Sequence, residues 1–304
     1  MSPVQVQGEV LSIRRVGAYH AMTLVAPGIA DGARPGQFVA VAVGGPESSI
    51  LLRRAFAIYQ VHERGVYGGT VEFIFAVHGQ GTAWLARRHA HDPINVVGPL
   101  GRPFTMPRDP INAIIVGGGY GSAPLLPLAE TLRARGCRVD AVLGAATTER
   151  LFGTLEAKRI TTAMAVTTED GSTGERGLVT DVLPAMISRG RADVVYACGS
   201  MGMLRAVAAV AAEHGLPAQV AVEESMACGI GVCMTCVLPV IGDDGRTRMV
   251  RSCVEGPVFH ADRVRFDAVG TVPADAVGAP VSGVAVSGVA VSGVAVSDDA
   301  ADVR

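Results

Sequence analysis

Residues 113–121, AIIVGGGYG, decide the architecture, because the character of the chain changes across them. An apolar run of this kind reads as a buried strand, and it passes straight into a glycine turn. The following SAPLLPLAETLRARG has helical spacing and ends on a glycine stop. CRVDAVLGA then reads as a strand, GLVTDVLPAMISRG as a helix, DVVYACGS as a strand and MGMLRAVAAVAAEHG as a helix. Alternation of this kind predicts a parallel sheet covered on both faces.

Upstream the pattern differs. VQVQGEVLSIRRV, YHAMTLVAP, GQFVAVAVG, RRAFAIYQVHE, TVEFIFAVHG and INVVGPLG are short runs separated by Gly and Pro turns, several with alternating apolar positions. Six such runs predict an antiparallel β-barrel, interrupted by a helix at GTAWLARRHA. Downstream of Leu216 come a cysteine-rich loop, a hairpin around Gly242–Gly245 and PVFHADRVRF. The expected fold is therefore multidomain: an antiparallel β-barrel over 1–105, a central α/β parallel-sheet nucleotide-binding domain over 106–216, a small C-terminal module over 217–268, and a low-complexity, disordered tail over 269–304.

The C-terminal module carries the most specific chemistry. In CGIGVCMTC…RSC, Cys228, Cys233 and Cys236 stand as C-x4-C-x2-C, and Cys253 returns after sixteen intervening residues. The close trio has the spacing with which thiolates hold a [2Fe–2S] cluster. Gly229 and Gly231 let the backbone turn tightly and aim N–H groups at the charged centre. A structural zinc site with four thiolates is the alternative, although zinc sites usually present two C-x2-C knuckles and only Cys233 and Cys236 form one here.

Other features are weaker. VGGGYGSAP, Val116 to Pro124, departs from G-x-G-x-x-G at Ser122, yet its backbone and the following helix N-terminus could approach a diphosphate. Arg53 and Arg54 are adjacent in an apolar strand, which places at least one guanidinium toward a buried or cleft face that calls for an anion such as phosphate, the alternative being a surface salt-bridge pair. Gly81-Thr82 at a helix start is a second place where phosphate could rest. Cys198-Gly199-Ser200 closes a strand at the carboxyl edge of the sheet, where a thiol could touch a nicotinamide ring or simply pack. His62, His78, His89, His91, His214 and His260 show no metal-like spacing.

The net charge of −2 gives no ground for nucleic-acid binding or for a surface held by anionic lipid. Six cysteines, four of them in one motif, speak against a disulfide framework and for a reduced, cytoplasmic setting. The N-terminus lacks the apolar stretch of a signal peptide. Residues 276–297 are uncharged, but Pro280, repeated Ser-Gly pairs and the lack of Leu, Ile and Phe argue against a membrane span.

With these elements in this order, the chain resembles the ferredoxin–NADP reductase-type flavoproteins. More narrowly, it resembles the electron-transfer subunits of two-subunit, NAD-dependent (type B) dihydroorotate dehydrogenases. The resemblance spans residues 5 to 267 and includes GPLGRPF, EDGSTGERGLVTD, ESMACGIG and CVEGPVF. It implies FAD bound along the barrel, with Arg54, Ala55, Phe56 and Ala57 at the family's R-P-x-S motif and Arg54 on the FAD diphosphate. The proline and serine positions are both alanine here, so the hydroxyl expected near flavin N5 is missing. The next flavin segment falls on Phe75-Ala76-Val77 without the family's arginine, with Ile74 beside it as a further flavin contact, and Gly81-Thr82 match its G-T pair. NAD contacts fall on Gly117, Gly118, Gly119, Gly121 and Cys198. Where NADP-using relatives often place arginine, this chain has Gly144-Ala145-Ala146-Thr147, with Arg150 only later, so NAD is expected.

The resemblance also implies a partner: an FMN-containing dihydroorotate dehydrogenase catalytic subunit, in a heterotetramer of two of each. Electrons from dihydroorotate would pass through the [2Fe–2S] cluster to FAD and leave as hydride on NAD+, in de novo pyrimidine (UMP) biosynthesis. Met226, Ile230 and Met234 are expected to help form that contact, with packing in the core of the loop as the equal alternative. The same cofactors serve NAD(P)H–ferredoxin and sulfide or polysulfide reductases, and a zinc-binding structural module is the non-enzyme alternative.

Overall fold

The computed structural model describes residues 2–45, 48–62, 65–66 and 68–279. Six strands form the N-terminal half: β1 (Val4–Val16), β2 (Tyr19–Val25), β3 (Phe38–Val41), β4 (Arg54–His62), β5 (Thr70–Phe75) and β6 (Pro93–Leu100). They close as a barrel in the order β1-β2-β5-β4-β3-β6, every pairing antiparallel. Alternate residues point inward, so Met22 and Leu24 of β2 meet Val39 and Val41 of β3 and Phe73 and Phe75 of β5 in one dry interior. Two short helices, α1 (Pro27–Ala30) and α2 (Gln80–Ala86), lie between strands.

The second half is a seven-stranded sheet. Its strands are β7 (Asn112–Gly118), β8 (Arg138–Ala145), β9 (Met164–Thr168), β10 (Glu175–Arg176), β11 (Val194–Cys198), β12 (Ala218–Ala221) and, after the hairpin β13 (Val237–Ile241) and β14 (Thr247–Arg251), β15 (Val258–His260). The order is β10-β9-β8-β7-β11-β12-β15, parallel except for β15. Helices α3 (Leu125–Ala134), α4 (Thr154–Ile160), α5 (Val179–Gly190) and α6 (Met201–Glu213) cover it. The apolar side of α3 packs on one face with Ile115, Val139 and Tyr196, while α5 and α6 pack on the other with Ile114, Val142 and Val195.

The chain runs outward from β7 through β8 and β9 to β10, then returns to the far side of β7 as β11. Strand order therefore reverses between β7 and β11, which opens a crevice at their carboxyl ends. Gly117 serves packing at that point: a Cβ there would lie 2.6 Å from Ser122 Cβ and 2.8 Å from its Cα.

Two boundaries fall elsewhere than expected. β12 lies beyond residue 216 yet belongs to the nucleotide sheet, and β15 of the C-terminal module joins that sheet by pairing with it. The alternation of strand and helix hides this, because β12 is only four residues long and β15 comes from beyond the cysteine loop. Residues 269–279, expected to begin a disordered tail, are packed instead. Ala276 is buried, Val277 N donates to Thr247 O at 2.8 Å, and Asp275 pairs with Arg265 at 2.9 Å. The remainder of that tail, 280–304 with its repeats, lies outside the described residues.

Gly117→Ala should lower unfolding stability by about 1–3 kcal/mol, the usual cost of overpacking, while leaving the barrel intact. Thermal unfolding alongside barrel-bound flavin content checks this.

Candidate functional site: two clefts and a cysteine loop

A cleft of about 450 Å³ opens between barrel and sheet. Arg54, Ala55, Phe56 and Ala57 of β4 line it, with Ile74 and Phe75 of β5, Ala76, Gly81 and Thr82. Gly121, Cys198 and Gly199 face it from the sheet, so every expected flavin residue and two of the expected nicotinamide contacts meet in one place.

The adjacent arginines divide their work. Arg53 turns inward and donates to the carbonyls of Ala40 at 3.3 Å and Asn95 at 3.2 Å and to the Asn95 side chain, which ties β3, β4 and β6 together. Arg54 lines the cleft, donates to Leu52 O at 2.8 Å, and has no carboxylate partner among the described residues. Gly81 lets that guanidinium approach: a Cβ at Gly81 would lie 3.1 Å from Arg54 Nε and 3.2 Å from Nη2. A free guanidinium over a side-chain-free backbone suits the diphosphate of FAD. Thr82 is otherwise engaged, since its hydroxyl accepts from His78 N at 2.9 Å and Gly79 N at 3.2 Å. Phe56 stacks on Phe73 with ring centroids 4.6 Å apart, which fixes the strand between Ala55 and Ala57.

Cys198 ends β11 against this cleft. Burial, reinforced by the Glu223 carboxylate, pushes its thiol up to about 12. It is a neutral group at pH 7.

A second cleft, of about 470 Å³, opens at the carboxyl ends of β7, β8 and β9. Gly118 and Gly119 line it, with Gly144, Ala145, Ala146, Thr167 and Glu169. The glycine turn does not run straight into the helix. A 3₁₀ turn occupies Gly119–Ser122, and α3 starts at the fully buried Leu125. Pro124 and Pro127 have no N–H to offer, and those of Ala123 and Leu126 are taken by Tyr120 O and Ala123 O. The glycine turn thus reaches the second cleft through Gly118 and Gly119, with few free N–H groups at the α3 end behind it. The α6 end lines the second cleft instead, through Ser200, Gly202 and Met203.

Two side chains that sequence reading did not single out as ligands suit a nucleotide there. Thr167 Oγ1 is buried without a partner, and Arg150, set aside because it stands beyond the strand end, lines the cleft without a carboxylate partner among the described residues. Glu169 brings an opposing charge into the same cleft. No local sequence pattern marks these three, because sheet order brings them together.

The cysteine loop lies on the barrel. Gly229 and Gly231 adopt φ of +73° and +82°, the left-handed region that glycine enters freely. These turns aim Ile230 N and Val232 N at Cys228 Sγ, at 3.4 and 3.3 Å. Burial opposes ionisation of Cys228, but the N–H groups of Ile230, Cys233 and Val232 outweigh it and hold the thiol down to about 6. The Thr235 hydroxyl donates to Cys233 Sγ at 3.1 Å and lowers that thiol as well. Arg251 pins the loop, donating to Gly231 O at 2.9 Å while paired with Glu255 at 2.8 Å.

Cys228 interacts with Cys233 and Cys236 with Cys253, and Cys253 also feels Cys228. Among the described residues no three His, Cys, Asp or Glu side chains surround a single ion position. Four thiols converging on one loop, with N–H groups aimed at Cys228 and a hydroxyl at Cys233, form a donor set that fits a [2Fe–2S] cluster. Cys236 and Cys253 are buried in one apolar cluster with Phe38, Ala40 and Leu100, and Ala55 and Met226 pack against it. Phe38, Ala55 and Met226 also line the first cleft. Met226 thus lies between cluster and cleft rather than at a partner surface, whereas Ile230, Val232 and Met234 are 54%, 74% and 52% exposed.

The barrel and sheet together have the fold of the ferredoxin reductases. A ferredoxin NADP+ reductase from Neisseria gonorrhoeae with bound FAD and NADP matches 69% of this chain and 92% of its own, with a TM-score of 0.57 at 15% identity. A structure of an NADH-dependent reduced ferredoxin-NADP oxidoreductase matches at 30% identity, with a TM-score of 0.74, over 86% of this chain and 91% of that one. Residues 223–265 match the iron-sulfur cluster binding domain of dihydroorotate dehydrogenase B. The dihydroorotate dehydrogenase B (NAD(+)) electron transfer subunit of Desulforamulus reducens is 34% identical over 80% of this chain and 91% of its own length. That of Geobacillus kaustophilus is 39% identical over 76% and 86%. The chain belongs to the family of dihydroorotate dehydrogenase B (NAD(+)) electron transfer subunits. No helix among the described residues is long and apolar enough to cross a membrane.

The two arginines separate in mutants. Arg54→Ala should weaken FAD binding by about 10–100-fold with the fold intact, whereas Arg53→Ala should cost about 2–3 kcal/mol of barrel stability. Flavin titration and thermal unfolding of both variants test the division.

Proposed function

We propose that this chain carries electrons between a dihydroorotate-oxidising partner and NAD+, with FAD in the first cleft, NAD reaching it from the second, and a [2Fe–2S] cluster held by Cys228, Cys233, Cys236 and Cys253. The observation that carries this reading is the shared wall. Phe38, Ala55 and Met226 touch both the flavin cleft and the apolar cluster around Cys236 and Cys253. Two redox centres separated by one layer of packed side chains can exchange electrons without either moving.

Bound FAD would supply the change of step, taking electrons singly from the cluster and giving two together as hydride. The chain itself positions and insulates. Arg54 holds the diphosphate, and Phe56, stacked on Phe73, keeps the ring strand in register. Cys198 presents an uncharged thiol where the nicotinamide arrives. The loop N–H groups and Thr235 favour thiolate at Cys228 and Cys233, the state that binds iron. No side chain need act as acid or base.

The partner is an FMN-containing catalytic subunit, assembled two with two in a heterotetramer in the cytoplasm, and the pathway is pyrimidine synthesis. Exposed Ile230, Val232 and Met234 beside the cluster form the surface it meets. Glu169 in the second cleft disfavours a 2′-phosphate and supports NAD over NADP. A second reading, in which the same centres serve ferredoxin, is favoured by the 30% identity to the NADH-dependent ferredoxin-NADP oxidoreductase.

Mixing the purified protein with an FMN-containing dihydroorotate dehydrogenase subunit should yield NADH from dihydroorotate and NAD+. NADH formation with reduced ferredoxin alone would favour the second reading. Acid-labile sulfide and a rhombic EPR signal after dithionite should accompany the flavin bands, while a colourless, zinc-loaded protein overturns the assignment. Cys233→Ser should reduce partner-driven turnover by roughly two orders of magnitude and leave NADH-driven dye reduction largely intact.

A further inference from the structure

Tyr120 and Glu223 line both clefts. Tyr120 follows β7, Glu223 follows β12, and β11 lies between those strands in the sheet. The Tyr120 hydroxyl donates to Glu223 Oε1 at 2.6 Å, so the bond spans the carboxyl end of β11 at Cys198 and Gly199. The tyrosine end is well anchored. Its ring meets the edge of Tyr19 with centroids 5.3 Å apart, and Tyr19 donates to Arg150 O at 2.8 Å. Glu223 lies in the irregular segment that joins β12 to the cysteine loop.

A dinucleotide with its adenosine half in the second cleft and its nicotinamide in the first must cross the line of this bond. Gly118 and Gly121 pack closely beside that line, where Cβ atoms would lie 2.6 Å from Met203 Sδ and 2.8 Å from Cys198 O. We propose that the Tyr120–Glu223 hydrogen bond is a strap across the passage between the clefts, closed in the nucleotide-free protein and opened by NAD as its nicotinamide enters. The proposal rests on the reading of this chain as an NAD-linked flavoprotein. Nucleotide binds only the open form, so its apparent affinity is reduced by the fraction of molecules that are closed. The strap also gives departing nucleotide a competitor for its path.

Steady-state dye reduction by NADH in the FAD-loaded protein tests this. Tyr120→Phe removes the donor and keeps the ring, and should lower KM for NADH about fivefold, the effect falling on KM rather than kcat. Glu223→Ala should lower KM by a similar factor, and the double variant should go no further than either single one. Glu223→Ala also stands in should Tyr120→Phe lose its flavin. An unchanged KM in the single variants, a KM that rises, or effects that add in the double variant would each overturn the strap. A wild-type protein that binds FAD but fails to oxidise NADH would instead reject the underlying reading.

Discussion

The structure depends on the apolar contact between Cys236 and Cys253 and the barrel residues Phe38, Ala40 and Leu100. Gly229 sits against the same surface, and a Cβ there would lie 3.4 Å from Ala40 Cβ and 3.5 Å from Leu100 Cδ1 and Phe38 Cε2. That contact does two jobs. It dries the Cys236 and Cys253 side of the site, while the N–H groups of Ile230 and Val232 serve Cys228 on the more exposed side. It also sets the distance to the flavin cleft by side-chain packing, which tolerates little change in volume.

Both clefts follow from topology rather than from any one motif. Where strand order reverses, the carboxyl ends of β7 and β11 leave a gap, and glycines at 117–119, 121 and 199 keep it free of side chains. The barrel then closes one side through β4 and β5 and leaves the other open for the dinucleotide. The join is secured by Tyr19, Tyr59 and Phe152, which pack edge-on at 6.5 and 5.3 Å, and by Tyr59 donating to Glu156.

Much of this was legible in the chain. All six barrel strands stood out, because alternating apolar residues bounded by Gly and Pro leave few other ways to bury one face. The cysteine spacing and its glycines marked the loop, while the adjacent strand arginines pointed only to one of the pair facing a cleft or interior, and it was the family resemblance that singled out Arg54. What escaped were residues that meaning reaches only through three dimensions. Met164–Thr168 and Glu175–Arg176 are too short or too polar to announce strands, yet they carry Thr167 to the second cleft and extend the sheet. Tyr120 and Glu223 are 103 residues apart, and only the insertion of β11 between their strands gives their bond its position. Met226 sits close enough to the cysteines to read as partner surface, but the loop folds it back toward the flavin cleft.

The cysteine module leaves the sheet after β12 and returns to it as β15, antiparallel to the strand it left, with Val222 N bonded to Pro257 O at 2.9 Å. It is stitched at both ends to the sheet whose β11 ends in Cys198 at the first cleft. A ferredoxin on a flexible tether must swing between donor and acceptor and waits on diffusion for each delivery. Here the carrier cannot swing, so the search for a collision falls entirely on whatever protein docks against its exposed edge.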